Sequence, residues 1–229
     1  MSRTKHTRPA QIIAAERVRA PRGKRSDGEL SVTRQTARAL KELGITISDS
    51  VVEAIAEPRS ITFPRFTVQR PRSGYLHAAN KRDITKLLLH FGELTWYGVR
   101  EITLMQNPDF RSDELKFGAL SVPGKILLYE QPEPPWICTG VPVDSDILQE
   151  AGAVITISSD RSRSRVDWTR DALRDFMLFD VLMHEIGHHL IQQFSGKRIA
   201  QVKRTKDHER AAMNFARRCR ESYMTEGSK

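Results

Sequence analysis

The sequence contains few cysteines and no long apolar run, and both absences limit the class of protein. Its 229 residues include two cysteines, Cys138 and Cys219, which lie far apart and form no CxxC pair. They therefore offer neither a disulfide framework nor a thiolate cage for a metal ion. Because no stretch of about 18 apolar residues occurs, the sequence predicts no transmembrane helix and no membrane partner.

The first residues also lack the apolar core of a secretory signal, since charged side chains occur throughout them. Hydrophobic residues make up 39% of the chain and charged residues 28%, as is ordinary for a folded soluble protein. We therefore expect a cytoplasmic protein. A chain of this length can form one full domain with an appendage, or two small domains.

Positive charge is concentrated at the N-terminal end. Residues 1–26 hold eight lysines and arginines and a single acid, Glu16, so this segment carries +7 of the net charge of +9. A basic arm can bind nucleic acid weakly by releasing counterions from phosphates. It can also be a solvated arm with no partner, which is the commoner case. We predict a flexible basic arm over residues 1–30, with at most a weak contact to nucleic acid.

The next region, residues 31–74, is predicted to be a small helical region followed by a linker. Two short helical patterns, 33–43 and 48–56, are separated by a glycine. A helix-turn-helix would fit this order, but no base-contacting residues can be identified, and short helices around a glycine are common. An extended stretch follows over 61–68, where Pro64 indicates an edge strand or a linker.

Residues 75–225 are predicted to form one α+β domain. Helices are expected at 81–91, from Thr169 to about Gln193, and over 206–223; strands are expected at 99–105, 117–122, 125–130 and 153–158, and a proline-rich loop at 131–142. Pro123-Gly124 between two of these strands predicts a hairpin. We therefore expect a small mixed or antiparallel sheet packed on helices.

The helix predicted from Thr169 carries the segment His184-Glu185-Ile186-Gly187-His188, an HExxH pattern. Residues i and i+4 lie on one face of a helix, so His184 and His188 present two imidazoles to one point, as a pair of zinc ligands requires. Glu185 points about 100° around the helix, where its carboxylate can deprotonate a metal-bound water. A surface helix with scattered histidines would not explain why His184 falls on the apolar stripe.

A catalytic zinc site needs a third protein ligand. Glu209 lies on the apolar stripe of the last predicted helix, three residues before Ala212. An inward carboxylate is costly unless it is paired or metal-bound, so we predict Glu209 as the third ligand, with an ion pair to an arginine as the alternative. The rival third ligands, which should point elsewhere, are His208, Asp207 and His189.

Asp180 precedes His184 by one helical turn. Its carboxylate could accept the free N–H of that imidazole and fix the tautomer, as groups around metal ligands do. It could equally face solvent. The sequence does not separate these two positions.

The pattern HExGH, followed by ExxAxxFA over residues 209–216, resembles the ImmA/IrrE-type bacterial zinc metallopeptidases, and gluzincins more broadly. The resemblance covers roughly residues 170–220. It implies a zincin-like domain with Zn²⁺ as cofactor. In this chain the HExxH helix lies near the C-terminus, whereas the family has it early in a longer chain. The metal ligands that it implies are His184, His188 and Glu209, and the general base is Glu185.

These residues together predict a zinc-dependent peptidase. Zinc would lower the pKa of a bound water, and Glu185 would take its proton as the water attacks a peptide carbonyl. An extended protein or peptide substrate would add to a sheet edge, formed by the strand at 125–130 or the one at 153–158. By residue type alone, the groups that could stabilise an oxyanion are Tyr223, Tyr129 and His208.

Two other functions stay open at the level of sequence. The chain could be a regulatory or nucleic-acid-associated protein in which the zinc site is structural or vestigial. It could also be a zinc hydrolase that acts on bonds other than peptides. The peptidase is favoured because water activation by HExxH is most often applied to peptide bonds, which is an association rather than a derivation.

Overall fold

The computed structural model describes residues 62–93, 95–109, 115–121, 124–142, 144–194 and 206–226. The basic arm predicted over residues 1–30 and the short helical patterns at 33–43 and 48–56 lie outside the described residues. The described chain is a mixed α+β fold, as the order of predicted elements indicated.

The strands and helices follow one another in a mixed order. The strands are β1 (Arg65–Val68), β2 (Tyr75–Leu76), β3 (Glu101–Met105), β4 (Gly118–Ser121), β5 (Lys125–Tyr129), β6 (Gln131–Pro132), β7 (Trp136–Thr139), β8 (Val154–Ile157) and β9 (Arg163–Asp167). The helices are α1 (Lys81–Phe91), α2 (Ser145–Glu150), α3 (Arg170–Phe176), α4 (His184–Phe194) and α5 (Lys206–Glu226), and a π-helical segment (Met177–Met183) joins α3 to α4.

The main sheet has the strand order β1-β3-β5-β4. The first three strands are parallel, and β4 pairs antiparallel with β5, which confirms the predicted hairpin. The buried apolar residues alternate along the two central strands, as expected when one face of a sheet packs on helices, and in β3 the intervening Thr103 is buried as well. The buried apolar residues are Ile102, Leu104, Ile126 and Leu128.

Strand β1 lies at one edge of this sheet, as Pro64 indicated. It pairs with β3 in register, with Arg65 opposite Glu101 and Val68 opposite Leu104. Because β1 precedes residue 75, the main sheet begins before the boundary that the sequence suggested. The pairing joins segments more than thirty residues apart, so no local pattern could reveal it.

A second sheet corrects two predictions. The three strands β7-β9-β8 form an antiparallel sheet, and β2 pairs with β6. The predicted loop at 131–142 therefore contains two strands, which its prolines concealed. Strand β9 was not predicted, because only Ser164 and Val166 of its five residues are buried and its other residues are polar. The predicted strand at 153–158 is confirmed as β8.

Helix α1 is confirmed with the predicted limits. Asn80 caps its first turn, since the Asn80 side chain accepts the backbone N–H groups of Arg82 and Asp83, while the Asp83 carboxylate accepts the N–H of Asn80. The helix buries Ile84, Leu87 and Leu88 against the core.

The helix predicted from Thr169 is also present, and the Thr169 hydroxyl accepts the N–H of Ala172 as an N-cap at 3.1 Å. It runs as three pieces, α3, the π-helical segment and α4, rather than as one regular helix. Almost every side chain between Leu173 and Leu190 is buried, so these pieces form the centre of the core. Across the described ranges, no helix is long and apolar enough to cross a membrane.

Candidate metal centre

The two histidines of the HExxH pattern lie one turn apart at the start of α4. Their Nε2 atoms are 3.0 Å apart, and their rings meet edge to face at 88°. The side chain of His188 is 2% exposed and that of His184 is 19% exposed. The helix therefore directs both nitrogens to one point, which the i, i+4 spacing predicted.

Glu209, in the first turn of α5, brings a carboxylate to the same point. Its Oε2 lies 3.1 Å from Nε2 of His188 and 3.4 Å from Nε2 of His184. A tetrahedral ion with ligand bonds of about 2.0–2.1 Å separates its ligand atoms by about 3.4 Å. Since the observed separations are close to this value, the three side chains could hold a metal ion.

The close approach of α4 and α5 depends on small residues at their contact. A Cβ atom placed on Gly187 would lie 3.1 Å from Cα of Ala212, 3.3 Å from its Cβ and 3.2 Å from Cδ1 of Phe215. The missing side chain of Gly187 and the single methyl of Ala212 therefore let Glu209 reach the histidines. This explains why a glycine occupies the centre of a buried helix despite its low helix propensity.

Glu185 follows His184 and is 6% exposed, so its carboxylate is held inside the protein rather than in bulk water. Tyr129, the last residue of β5, lies within the electrostatic field of this carboxylate. Burial raises the pKa of Tyr129, Lys116 lowers it, and Asp109 and Glu185 raise it further. The C-terminal end of β5 is therefore near enough to Glu185 for the two groups to interact electrostatically.

Among the described residues, Glu209 is the acid that joins the two histidines, and the rival ligands lie elsewhere. Asp207 is exposed and pairs with Arg210 at 2.7 Å. The buried His189 donates its Nε2–H to the carbonyl oxygen of Tyr97 at 2.9 Å. Burial lowers the pKa of His189, so this imidazole stays neutral and ties α4 to the loop before β3.

Asp180 does not take the position that was considered for it beside His184. Its Oδ2 accepts from Nη2 of Arg220, on α5, at 2.5 Å. Asp180 lies in the π-helical segment, whose i to i+5 hydrogen bonds place about one extra residue in the turn and so change the direction of side chains relative to α4. The sequence left open whether Asp180 contacts His184 or faces solvent, and the ion pair with Arg220 corresponds to neither position.

Two of the three residues considered for oxyanion stabilisation can be placed. Tyr223 packs on Phe179 and His90, with ring centroids 5.4 and 4.8 Å apart, and so belongs to the contact between α5 and the core. Of these two tyrosines, Tyr129 is the one that interacts electrostatically with Glu185.

Among the described strands, the sheet edge next to α4 is β4. This strand ends the order β1-β3-β5-β4 and lies against α4. A Cβ on Gly118 would be 2.7 Å from Cγ1 of Val181, so β4 also packs closely on the π-helical segment. The strand at 125–130 is internal, between β3 and β4, and cannot be an edge; the strand at 153–158 is an edge of the other sheet.

Comparison of the chain with known protein families, with curated proteins and with solved structures found no significant match. Function is therefore inferred from the geometry of the site.

Proposed function

We propose that this protein is a zinc-dependent peptidase with a zincin-like domain. One observation carries the proposal: two imidazole nitrogens and one carboxylate oxygen, from two different helices, lie within 4.8 Å of one another beside a buried glutamate. Two histidines with one glutamate are a donor set that catalytic zinc sites use.

The number of ligands supports a catalytic site over a structural one. Structural zinc sites are closed by four protein ligands, whereas catalytic sites use three and leave one position open. Among the described residues three donors converge. A bound zinc ion supplies a Lewis acid that polarises a carbonyl oxygen and makes water more acidic.

The chain's own groups supply the proton transfer. Glu185 is adjacent to the ligand His184 and largely shielded from solvent, so its carboxylate can hold a water and take a proton from it. The same carboxyl group can then deliver the proton to the leaving amine. The buried setting strengthens these interactions, because electrostatic effects grow as water is excluded.

An extended peptide fits the surface next to these groups. Among the described strands, β4 has one ladder edge without a partner strand, and it lies against α4. A peptide added to that edge would hydrogen-bond through its backbone and pass the metal centre. This geometry favours a peptide over a small ester as the substrate.

The test combines metal content with hydrolysis. Glu185→Gln removes the proton acceptor and leaves the three donor atoms in place, so it should retain about one zinc per chain and lose hydrolysis by at least about 100-fold. His188→Ala should lose both zinc and activity. The matched control is Glu133→Gln, a change at a glutamate on the loop between β6 and β7, and it should alter neither.

Either of two results would reject the peptidase. Full activity in Glu185→Gln would exclude this residue as the base. The second result is a wild-type protein that binds zinc tightly but cleaves no member of a peptide library. If that protein also binds nucleic acid in a salt-dependent way, and the binding is lost on deleting residues 1–30, the regulatory alternative is supported.

A further inference from the structure

The zinc ligand Glu209 is positioned by the helix that carries it. Its side chain is 40% exposed and lies in the first turn of α5. The two histidines, by contrast, lie on α4 inside the core. The geometry of the proposed metal site therefore depends on where α5 lies along and around the central helix.

Two contacts of α5 lie along one of its stripes, beside the buried side chains of Phe215, Ala216 and Cys219 that also pack this helix on the core. The first is the close approach of Ala212 to Gly187, three residues after Glu209. The second is the ion pair between Arg220 and Asp180, eight residues further along α5. With a rise of 1.5 Å per residue, these contacts lie about 4.5 Å and about 16 Å from Glu209 along the helix.

The second contact is partly buried. The Arg220 and Asp180 side chains are 23% and 26% exposed. The Arg220 guanidinium also lies 5.6 Å from the ring centroid of Phe179, and its Nε is buried with no hydrogen-bond partner in the part of the chain that the structure describes. An arginine kept there with an unsatisfied N–H is costly, which is unexpected for a pair that serves stability alone.

We propose that Asp180 and Arg220 are positioning residues of the metal centre, which fix α5 so that Glu209 completes the ligand set. This inference rests on the proposed function. If α5 pivots at Ala212, a shift of about 1 Å at Arg220 moves the base of Glu209 by about 0.4 Å, from the ratio of the two helix lengths. Metal–ligand distances tolerate only about 0.2 Å.

The π-helical segment carries one half of the pair. Asp180 lies in this segment, one turn before His184, and its carboxylate accepts from Arg220 on α5. Such π segments inside α-helices are frequent at functional sites. The segment that precedes His184 and His188 thus carries Asp180, which holds α5, the helix of the third ligand Glu209.

The experiment measures zinc affinity in the full chain by competition with a chromophoric chelator. Asp180→Asn keeps the size of the side chain and removes the charge, and Arg220→Met keeps its length. We expect each to weaken zinc binding about tenfold, the lower end of the effect seen for groups that orient metal ligands. The double variant should bind zinc as tightly as either single variant, because each single substitution already removes the same contact.

The matched control is another partly buried ion pair that lies away from α5. Glu130 is fully buried and pairs with Arg72, whose side chain is 23% exposed, as is that of Arg220. Glu130→Gln should lower the melting temperature and leave the zinc affinity of the folded protein unchanged. Arg220→Lys, which keeps the charge, should recover part of the affinity lost in Arg220→Met.

The outcomes separate this inference from the proposed function. If wild type binds zinc and hydrolyses peptides, and Asp180→Asn binds zinc as tightly as wild type, the positioning role is rejected and the peptidase stands. An equal loss of zinc affinity in Glu130→Gln would also reject it, since the effect would then follow general stability. A wild-type chain that binds no zinc would overturn both.

Discussion

Replacement of Gly187 by alanine tests how closely the two helices that carry the candidate metal ligands pack. The added methyl would meet Cα of Ala212 at 3.1 Å and Cδ1 of Phe215 at 3.2 Å. Carbon atoms in favourable contact are about 3.5–4.0 Å apart, so the opposing atoms must move apart by at least about 0.3–0.4 Å. One of the opposing atoms belongs to the backbone and cannot rotate away.

Two energies compete in this variant. Overpacking a buried contact costs about 1–3 kcal/mol, and replacing glycine in a helix gains about 1 kcal/mol of helix propensity. We therefore expect a net loss of stability of about 0–2 kcal/mol. The separation exceeds the tolerance of about 0.2 Å for metal–ligand distances, so zinc affinity should fall by about tenfold or more.

Thermal melting and chelator competition measure the two effects separately. The compensating variant Gly187→Ala with Ala212→Gly removes the methyl that faces the new one, and it should recover part of the zinc affinity. A Gly187→Ala protein that is more stable than wild type and binds zinc as tightly would refute the close packing of α4 and α5 at this point.

Two further predictions concern titratable groups of the core. Burial raises the pKa of Asp180 to about 6, Arg220 lowers it and Glu150 raises it, against an ordinary value of 3.8. Between pH 3.8 and about 6 the native protein therefore binds a proton that the unfolded chain releases, so stability is lost as the pH rises through about 6. The free energy of unfolding of metal-free wild type, relative to that of Asp180→Asn, should fall by up to about 3 kcal/mol from pH 4 to pH 8. Urea titrations that show no such change would contradict this prediction. Burial raises the pKa of Cys219 to about 12, so its thiol should resist alkylation in the native protein, whereas the half-buried Cys138 should react. Mass spectrometry of the labelled peptides measures both reactions. Rapid labelling of Cys219 in the native protein would contradict the packing of α5.

Local patterns predicted much of the fold because their causes are local. Helix α1 and the hairpin of β4 and β5 were found at nearly their observed limits, since a 3.6-residue apolar period and a Pro-Gly turn act over a few residues. Strand β9 could not be found in this way. Its place between β7 and β8 is stabilised by ladder hydrogen bonds to distant segments, and its own residues are mostly polar.

The same distinction applies to the metal centre. Glu209 was selected because the sequence placed it on the apolar stripe of its helix; its side chain is 40% exposed, and the structure brings it to the histidines. Two positions were left open for Asp180, and in the structure it lies in a π-helical segment and pairs with Arg220, which neither position included. A change in helix type arises from packing around the segment, which spacing along the chain does not encode.

The sequence by itself determined that two imidazoles share one face of a helix and that a carboxylate follows on the inner stripe of another, because helical geometry is set by the backbone. Only the tertiary structure decided that these groups meet. Their meeting depends on a missing side chain at Gly187, a methyl at Ala212 and the distance at which the two helices pack. Those are properties of a contact between elements rather than of either element alone.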